Sequence, residues 1–276
     1  MKIKAVLMDM DGTLLGKSQV AVSARNMKAV QKAIEKGVAV IPCTGRVYDM
    51  LPPQLLTQPG LRYFVTSHGA RAYDSLTGES LFEDLIPGER ASELMKMLEG
   101  KGLYNEVAAN ATIYFEKSVF DNFNMAVVPE HHIWYVRDNC FTALEKPSEF
   151  FLENNVGIEK MNIYGIPAEL QQSIYDELNA TGYIKHTRLG AGPNLEFSNY
   201  TLNKLNATDA ILERLGISYE ETMAIGDSSS DVEIIKACGV GVAMGNAPDN
   251  IKALADDVTA LNTEDGLALA FEKYVL

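Results

Sequence analysis

A chain of 276 residues is long for one ordinary compact core and comfortable for two domains. Hydrophobic residues make up 47%, aromatics 8% and charged residues 22%, a globular profile, and no run approaches the roughly 20 apolar residues that cross a bilayer. The formal net charge of −13 is spread along the chain, so neither the middle segment nor the rest has the basic excess that nucleic acid demands of a partner.

Residues 3–8 read as a buried strand. Lys2 and Lys4 resemble the flank of a signal peptide, but Asp9 and Asp11 interrupt the apolar run too early for one. That predicts a folded start and a cytoplasmic address. Residues 20–36 read as a helix, with Met27, Val30 and Ile34 at helical spacing, Ser23 as a candidate cap and Gly37 as the stop. Second and third strands follow at 38–43 and 63–67. This alternation predicts an α/β fold: a parallel, doubly wound, Rossmann-like sheet with helices on both faces.

The middle reads differently. A helix at 89–98 precedes strands at 112–116 and 132–136, then helix 147–153, strand 158–164, helix 168–180 and strand 183–188. Turn chemistry borders it, Pro87-Gly88 on entry and Gly190-Ala191-Gly192-Pro193 on exit. From there the first rhythm resumes, with helix 202–215 ended by Gly216, strands 222–225 and 240–244, and helices 229–238 and 248–255. The expected organisation is a core of 1–84 and 190–276 interrupted by an α/β domain at 85–189. Cys43, Cys140 and Cys238 are odd in number and widely spaced, so they read as small buried hydrophobes. Glu130-His131-His132 reads as a surface loop, since adjacent strand histidines point oppositely and no third ligand is evident.

Four short patterns fall at strand ends, where an open parallel sheet binds its ligands. Asp9-Met10-Asp11-Gly12-Thr13 follows the first strand. Two carboxylates one residue apart repel unless a cation joins them or one is protonated, and Mg²⁺ suits hard oxygen ligands. The competing reading is a strand end with an Asx-type turn. Thr44-Gly45-Arg46 offers backbone N–H groups that can cradle a phosphate; alone, it is also an ordinary helix start. Lys204, taken alone, is a solvated lysine. Gly226-Asp227-Ser228-Ser229-Ser230-Asp231 brings two more carboxylates to a strand end, or merely caps a helix. Four carboxylates and a lysine at the strand ends of one sheet argue against coincidence.

On these residues the chain resembles the haloacid dehalogenase (HAD) superfamily, and within it the Cof-like phosphatases of subclass IIB. The four patterns match the family's four motifs in order. Val242-Ala243-Met244-Gly245-Asn246-Ala247 is similar to the loop after the next strand, and 85–189 sits where that subclass carries an α/β cap. The resemblance implies a Mg²⁺-dependent phosphomonoester hydrolase acting on a small phosphorylated metabolite such as a sugar phosphate. Asp9 would be the nucleophile, and Asp11 the acid and then the base. Mg²⁺ would be held by Asp9, the Asp11 backbone carbonyl and Asp227. Thr44, Gly45, Arg46 and Lys204 would hold the phosphate, with Asn246 nearby. Asp231, with Ser230 beside it, would orient the metal's waters or Lys204. Ser230, Leu205 and His68 depart from the family's commoner Asn, Gly and Asn. Two alternatives share the pattern, a phosphomutase of the same fold and a catalytically idle binding or regulatory protein. Protein partners and oligomeric state are not readable.

Overall fold

The computed structural model describes residues 2–121, 141–188 and 194–276, and divides into two compact units. Along the chain the strands are β1 (Ala5–Met8), β2 (Ala39–Pro42), β3 (Tyr63–Thr66), β4 (Arg71–Asp74), β5 (Glu79–Glu83), β6 (Tyr104–Ala109) and β7 (Thr112–Glu116). Then come β8 (Phe141–Leu144), β9 (Lys160–Tyr164), β10 (Ile184–Arg188), β11 (Leu195–Asn199), β12 (Thr222–Gly226), β13 (Val240–Ala243) and β14 (Asp257–Val258). The longer helices are α1 (Ala24–Glu35), α2 (Gly88–Leu98), α3 (Pro147–Glu153), α4 (Ala168–Ala180), α5 (Lys204–Leu215), α6 (Val232–Ala237) and α7 (Gly266–Tyr274). Among the described residues, no helix is long and apolar enough to cross a membrane.

The first unit comprises Met1–Arg46, Leu51–Glu83 and Asn203–Leu276. Its main sheet has the order β14-β13-β12-β1-β2, parallel throughout. All four residues of β1 are buried, as a central strand covered on both faces requires. The chain leaves β1 toward β2 on one side and later returns to β12 on the other. The order therefore reverses at β1, and the carboxyl ends of β1 and β12 flank the crevice that such a reversal opens. Ser23 caps α1 by accepting from the Asn26 N–H at 3.1 Å. The helix starts at Ala24 rather than at 20, because Val22 is drawn into a bridge with Leu15. Asn203 caps α5 by accepting from the Asn206 N–H, and Gly216 ends it at φ 65°.

The third expected strand is placed differently. β3 pairs antiparallel with β4, and β4 with β5, while a single parallel bridge from Cys43 to Val65 ties β3 to the main sheet. β4 and β5 escape a pattern search because charged side chains break the apolar alternation. Arg71 and Asp74 are buried in β4, where Arg71 pairs with Ser80 and Glu83 and Asp74 with Arg62.

The second unit comprises Val47–Met50 and Asp84–Leu202. Its six-stranded sheet runs β10-β11-β9-β6-β7-β8, antiparallel except for β7 with β8. Leu94, Leu98, Phe151 and Ile174 from α2, α3 and α4 form one apolar core with Val107, Met161, Ile163 and Phe197 from the sheet. The expected border at 189 is displaced: β11 pairs with β9 and β10, so the unit continues to Leu202. The expected border at Gly190 to Pro193 therefore does not hold, since turn residues in a sequence signal a reversal of the chain and not whose core the next strand joins. Those residues, the expected strand at 132–136, the paired histidines and Cys140 lie outside the described residues.

Candidate active site

The site grows from the ends of β1 and β12. Asp9 follows β1, donates its backbone N–H to Ile225 O at 3.0 Å, and is buried. The chain then turns through Gly12 at φ 85°, where a Cβ would stand 2.3 Å from an Asp227 carboxylate oxygen. Only glycine lets that carboxylate lie against the turn. Thr13 Oγ1 donates to Asp227 Oδ1 at 3.0 Å, and Asn246 Nδ2 reaches Asp227 Oδ2 at 3.3 Å and Gly12 O at 2.8 Å.

Lys204 opens α5 with its ammonium buried between two acids. Its Nζ donates to Asp9 Oδ1 at 2.8 Å and to Asp231 Oδ1 at 2.6 Å. Asp231, fully buried, also ties down its own loop: Oδ2 accepts from Asp227 N at 3.2 Å, Ser228 N at 3.0 Å and Ser228 Oγ at 2.9 Å. Ser230 Oγ lies 2.8 Å from Ser228 Oγ. Asp231 thus connects lysine and loop, and both its oxygens are engaged.

A second cluster surrounds Asp11. Arg46 grips that carboxylate with two contacts, Nε to Oδ2 at 2.9 Å and Nη2 to Oδ1 at 2.6 Å, and gives Nη2 also to Gln19 O at 2.7 Å. Thr44, buried, accepts the Arg46 N–H on Oγ1 at 3.1 Å. Two placements differ from the roles that the motifs imply. The guanidinium of Arg46 is held by Asp11 and Gln19, and the Asn246 amide by Gly12 and Asp227, so neither side chain is presented as an open phosphate ligand here.

The electrostatics follow from burial. Asp9 is pushed well above the carboxylate range by burial and then by Asp231, against the pull of Lys204. Asp227 rises to about 6, again through burial first, with the Thr13 hydrogen bond opposing. Burial pulls Lys204 down, but Asp231 and Asp9 outweigh it and hold it above the ordinary lysine value. Asp9, Asp227 and Asp231 bring carboxylate oxygens within 4.8 Å of one another, with one lysine to offset them. The cluster is short of positive charge. Its donors are hard oxygens, and Asp9 Oδ2 accepts no hydrogen bond from the described residues. These residues fit a small divalent cation, with Asp9 and Asp227 as the available carboxylates.

The pattern that defines the haloacid dehalogenase-like hydrolases matches residues 6–271. The chain belongs to that family. It is 31% identical to the 5-amino-6-(5-phospho-D-ribitylamino)uracil phosphatase YcsE of Bacillus subtilis, over 99% of this chain and 96% of the relative. Among solved structures, a haloacid dehalogenase-like hydrolase from Bacteroides thetaiotaomicron superposes with a TM-score of 0.81 at 26% identity, covering 99% of both chains. A HAD subclass IIB sugar phosphatase shares the fold at 23% identity and a TM-score of 0.73, covering 98% of each. The chain is a HAD-type phosphatase.

Several members of this site carry no motif of their own. Asn262 donates its N–H to Asn246 Oδ1 at 3.0 Å and its Nδ2 to Leu15 O at 2.9 Å, bracing the Asp227 side of the site from far along the chain. Gln19 contributes only a backbone carbonyl, which any residue type supplies. Thr13 is the exception: it stands inside the first motif, and its hydroxyl is the signal.

Proposed function

We propose that Asp9 attacks the phosphorus of a small phosphorylated metabolite and that the resulting aspartyl-phosphate is hydrolysed by water. The observation that carries this is the asymmetry of the Asp9 carboxylate. Lys204 fixes Oδ1, while Oδ2, at the end of the central strand, accepts no hydrogen bond from the described residues. In the first step Oδ2 forms the bond to phosphorus, the ester P–O bond breaks, and Asp11 gives the departing alkoxide its proton. In the second, Asp11 takes a proton from the attacking water, the acyl phosphate bond breaks and inorganic phosphate leaves.

Asp9, Asp227 and the Asp11 backbone carbonyl would hold Mg²⁺, which neutralises charge on the transferring phosphoryl group when bound. Lys204 and the backbone at Thr44 and Gly45 meet the phosphate oxygens. Arg46 has a double part. Its grip favours ionised Asp11, so the guanidinium must leave before Asp11 can carry a proton, and an arriving phosphate is the anion that draws it away. Asp231 keeps Lys204 aimed. The acidic balance of the chain fits this use of local cations and disfavours nucleic acid. The name of YcsE, together with the subclass IIB fold, supports a metabolite with a sugar or polyol portion, and the second unit is the part free to select it as a cap.

Asp9→Asn tests the reading. The folded variant should lose turnover of p-nitrophenyl phosphate with Mg²⁺ and form no acid-stable phosphoprotein on mixing with substrate. Wild-type turnover in the folded Asp9→Asn protein excludes the covalent route.

A further inference from the structure

Three consecutive residues after β3 adopt left-handed backbone: Ser67 at φ 50°, His68 at φ 58° and Gly69 at φ 100°. Two of them are not glycine, and such backbone persists only where surrounding contacts enforce it. Those contacts are specific. The N–H of Ser67 donates to Arg46 O at 2.8 Å and that of His68 to Thr44 O at 2.9 Å, so the turn is pinned across the Thr44–Arg46 segment. On its other side, a Cβ on Gly69 would stand 2.1 Å from Asn203 O and 2.9 Å from the Lys204 Cα. The turn is wedged between the phosphate segment and the first residue of the lysine helix.

The His68 ring completes the wedge. A Cβ on Gly45 would fall 2.3 Å from its Cε1 and 2.4 Å from its Nε2, so the imidazole occupies the space a side chain there would need. We infer that His68 is a positioning residue for phosphate binding: its ring lies against Gly45, fixes the direction of the Gly45–Arg46 peptide, and so aims the backbone that receives the phosphate oxygens. Its contribution is steric and needs no proton transfer. Asparagine tolerates the left-handed backbone but is shorter and cannot fill the same volume. The inference rests on the reading of Thr44–Arg46 as the phosphate cradle.

The test measures binding of inorganic phosphate by calorimetry in the presence of Mg²⁺, beside KM and kcat for p-nitrophenyl phosphate and melting temperature. His68→Asn should weaken phosphate about tenfold and raise KM more than it lowers kcat, with melting held within about 2 °C of wild type. Gly45→Ala should weaken it further, because the new methyl displaces the ring. The double variant Gly45→Ala/His68→Ala should recover part of that loss, since the methyl then enters vacated space. If His68→Asn binds phosphate like wild type while Gly45→Ala binds weakly, the cradle stands and the role given to His68 is wrong. A double variant no better than Gly45→Ala also overturns it. If Gly45→Ala binds phosphate as tightly as wild type, the cradle reading fails, and the inference with it.

Discussion

Replacing Lys204 by methionine keeps an unbranched apolar stem and removes the terminal ammonium, with its charge and its N–H donors. In the structure that charge is buried and makes two short hydrogen bonds, 2.8 Å to Asp9 and 2.6 Å to Asp231. Deleting one partner of a buried ion pair costs about 3–5 kcal/mol, because the remaining charge is left without compensation. Here two carboxylates are left facing each other. For the first unit, with its roughly 150 residues, each kcal/mol corresponds to about 2–4 °C in melting temperature, so Lys204→Met should melt about 6–20 °C below wild type near pH 8. The loss should shrink on acidification. Without the lysine, Asp9, which burial already holds above its unfolded value, loses the pull that opposed that rise. The stability of its neutral form is present at low pH and is lost as pH rises through the folded value. Thermal melts in metal-free buffer at pH 5 and pH 8, with Asp231→Asn and the double variant completing the cycle, read this directly. A Lys204→Met protein that melts like wild type at both pH values would refute the argument that burial makes this lysine the counter-charge of the site.

The remaining expectations are shorter. Asp227→Asn should weaken Mg²⁺, measured by calorimetry, by more than the roughly 10–100-fold typical of losing a supporting partner; equal affinity would remove Asp227 from the ligand set. Metal-free wild-type protein should gain stability on acidification, because Asp227 titrates near 6 in the fold, above its usual value, and its neutral form is favoured there. Saturating Mg²⁺ should abolish that gain, and a gain that persists with metal contradicts the assignment. Arg62 holds Asp74 down to about 2, from an ordinary 3.8, so this pair stabilises the fold above the ordinary value and ceases to as pH falls toward the lower one. Asp74→Asn should cost about 1–2 kcal/mol at pH 7 by chemical denaturation and nothing near pH 2; an equal cost at both would deny the ion pair its role.

Much of this protein was determined locally along the chain. The apolar run of β1, the spacing of α1 and its Ser23 cap, and the glycine after α5 follow from periodicity and capping, which act over a few residues. Asp9, Asp227 and Asp231 were legible because strand ends in a parallel sheet converge, so motifs far apart in sequence could be assigned to one crevice, whereas Lys204 opens a helix and drew its expected role from the family resemblance alone. Tertiary structure alone decided what each side chain does with its partners. The contacts of Arg46 with Asp11, and of Asn246 with Gly12 and Asp227, are announced by no motif, since a hydrogen bond goes to whichever acceptor the folded backbone brings within reach. Asn262 joined the site without any motif. The end of the second unit moved from 189 to Leu202 for a related reason. A short strand such as β11 carries no mark of which sheet it will join, and that is settled only when β9 and β10 offer their free backbone groups to it.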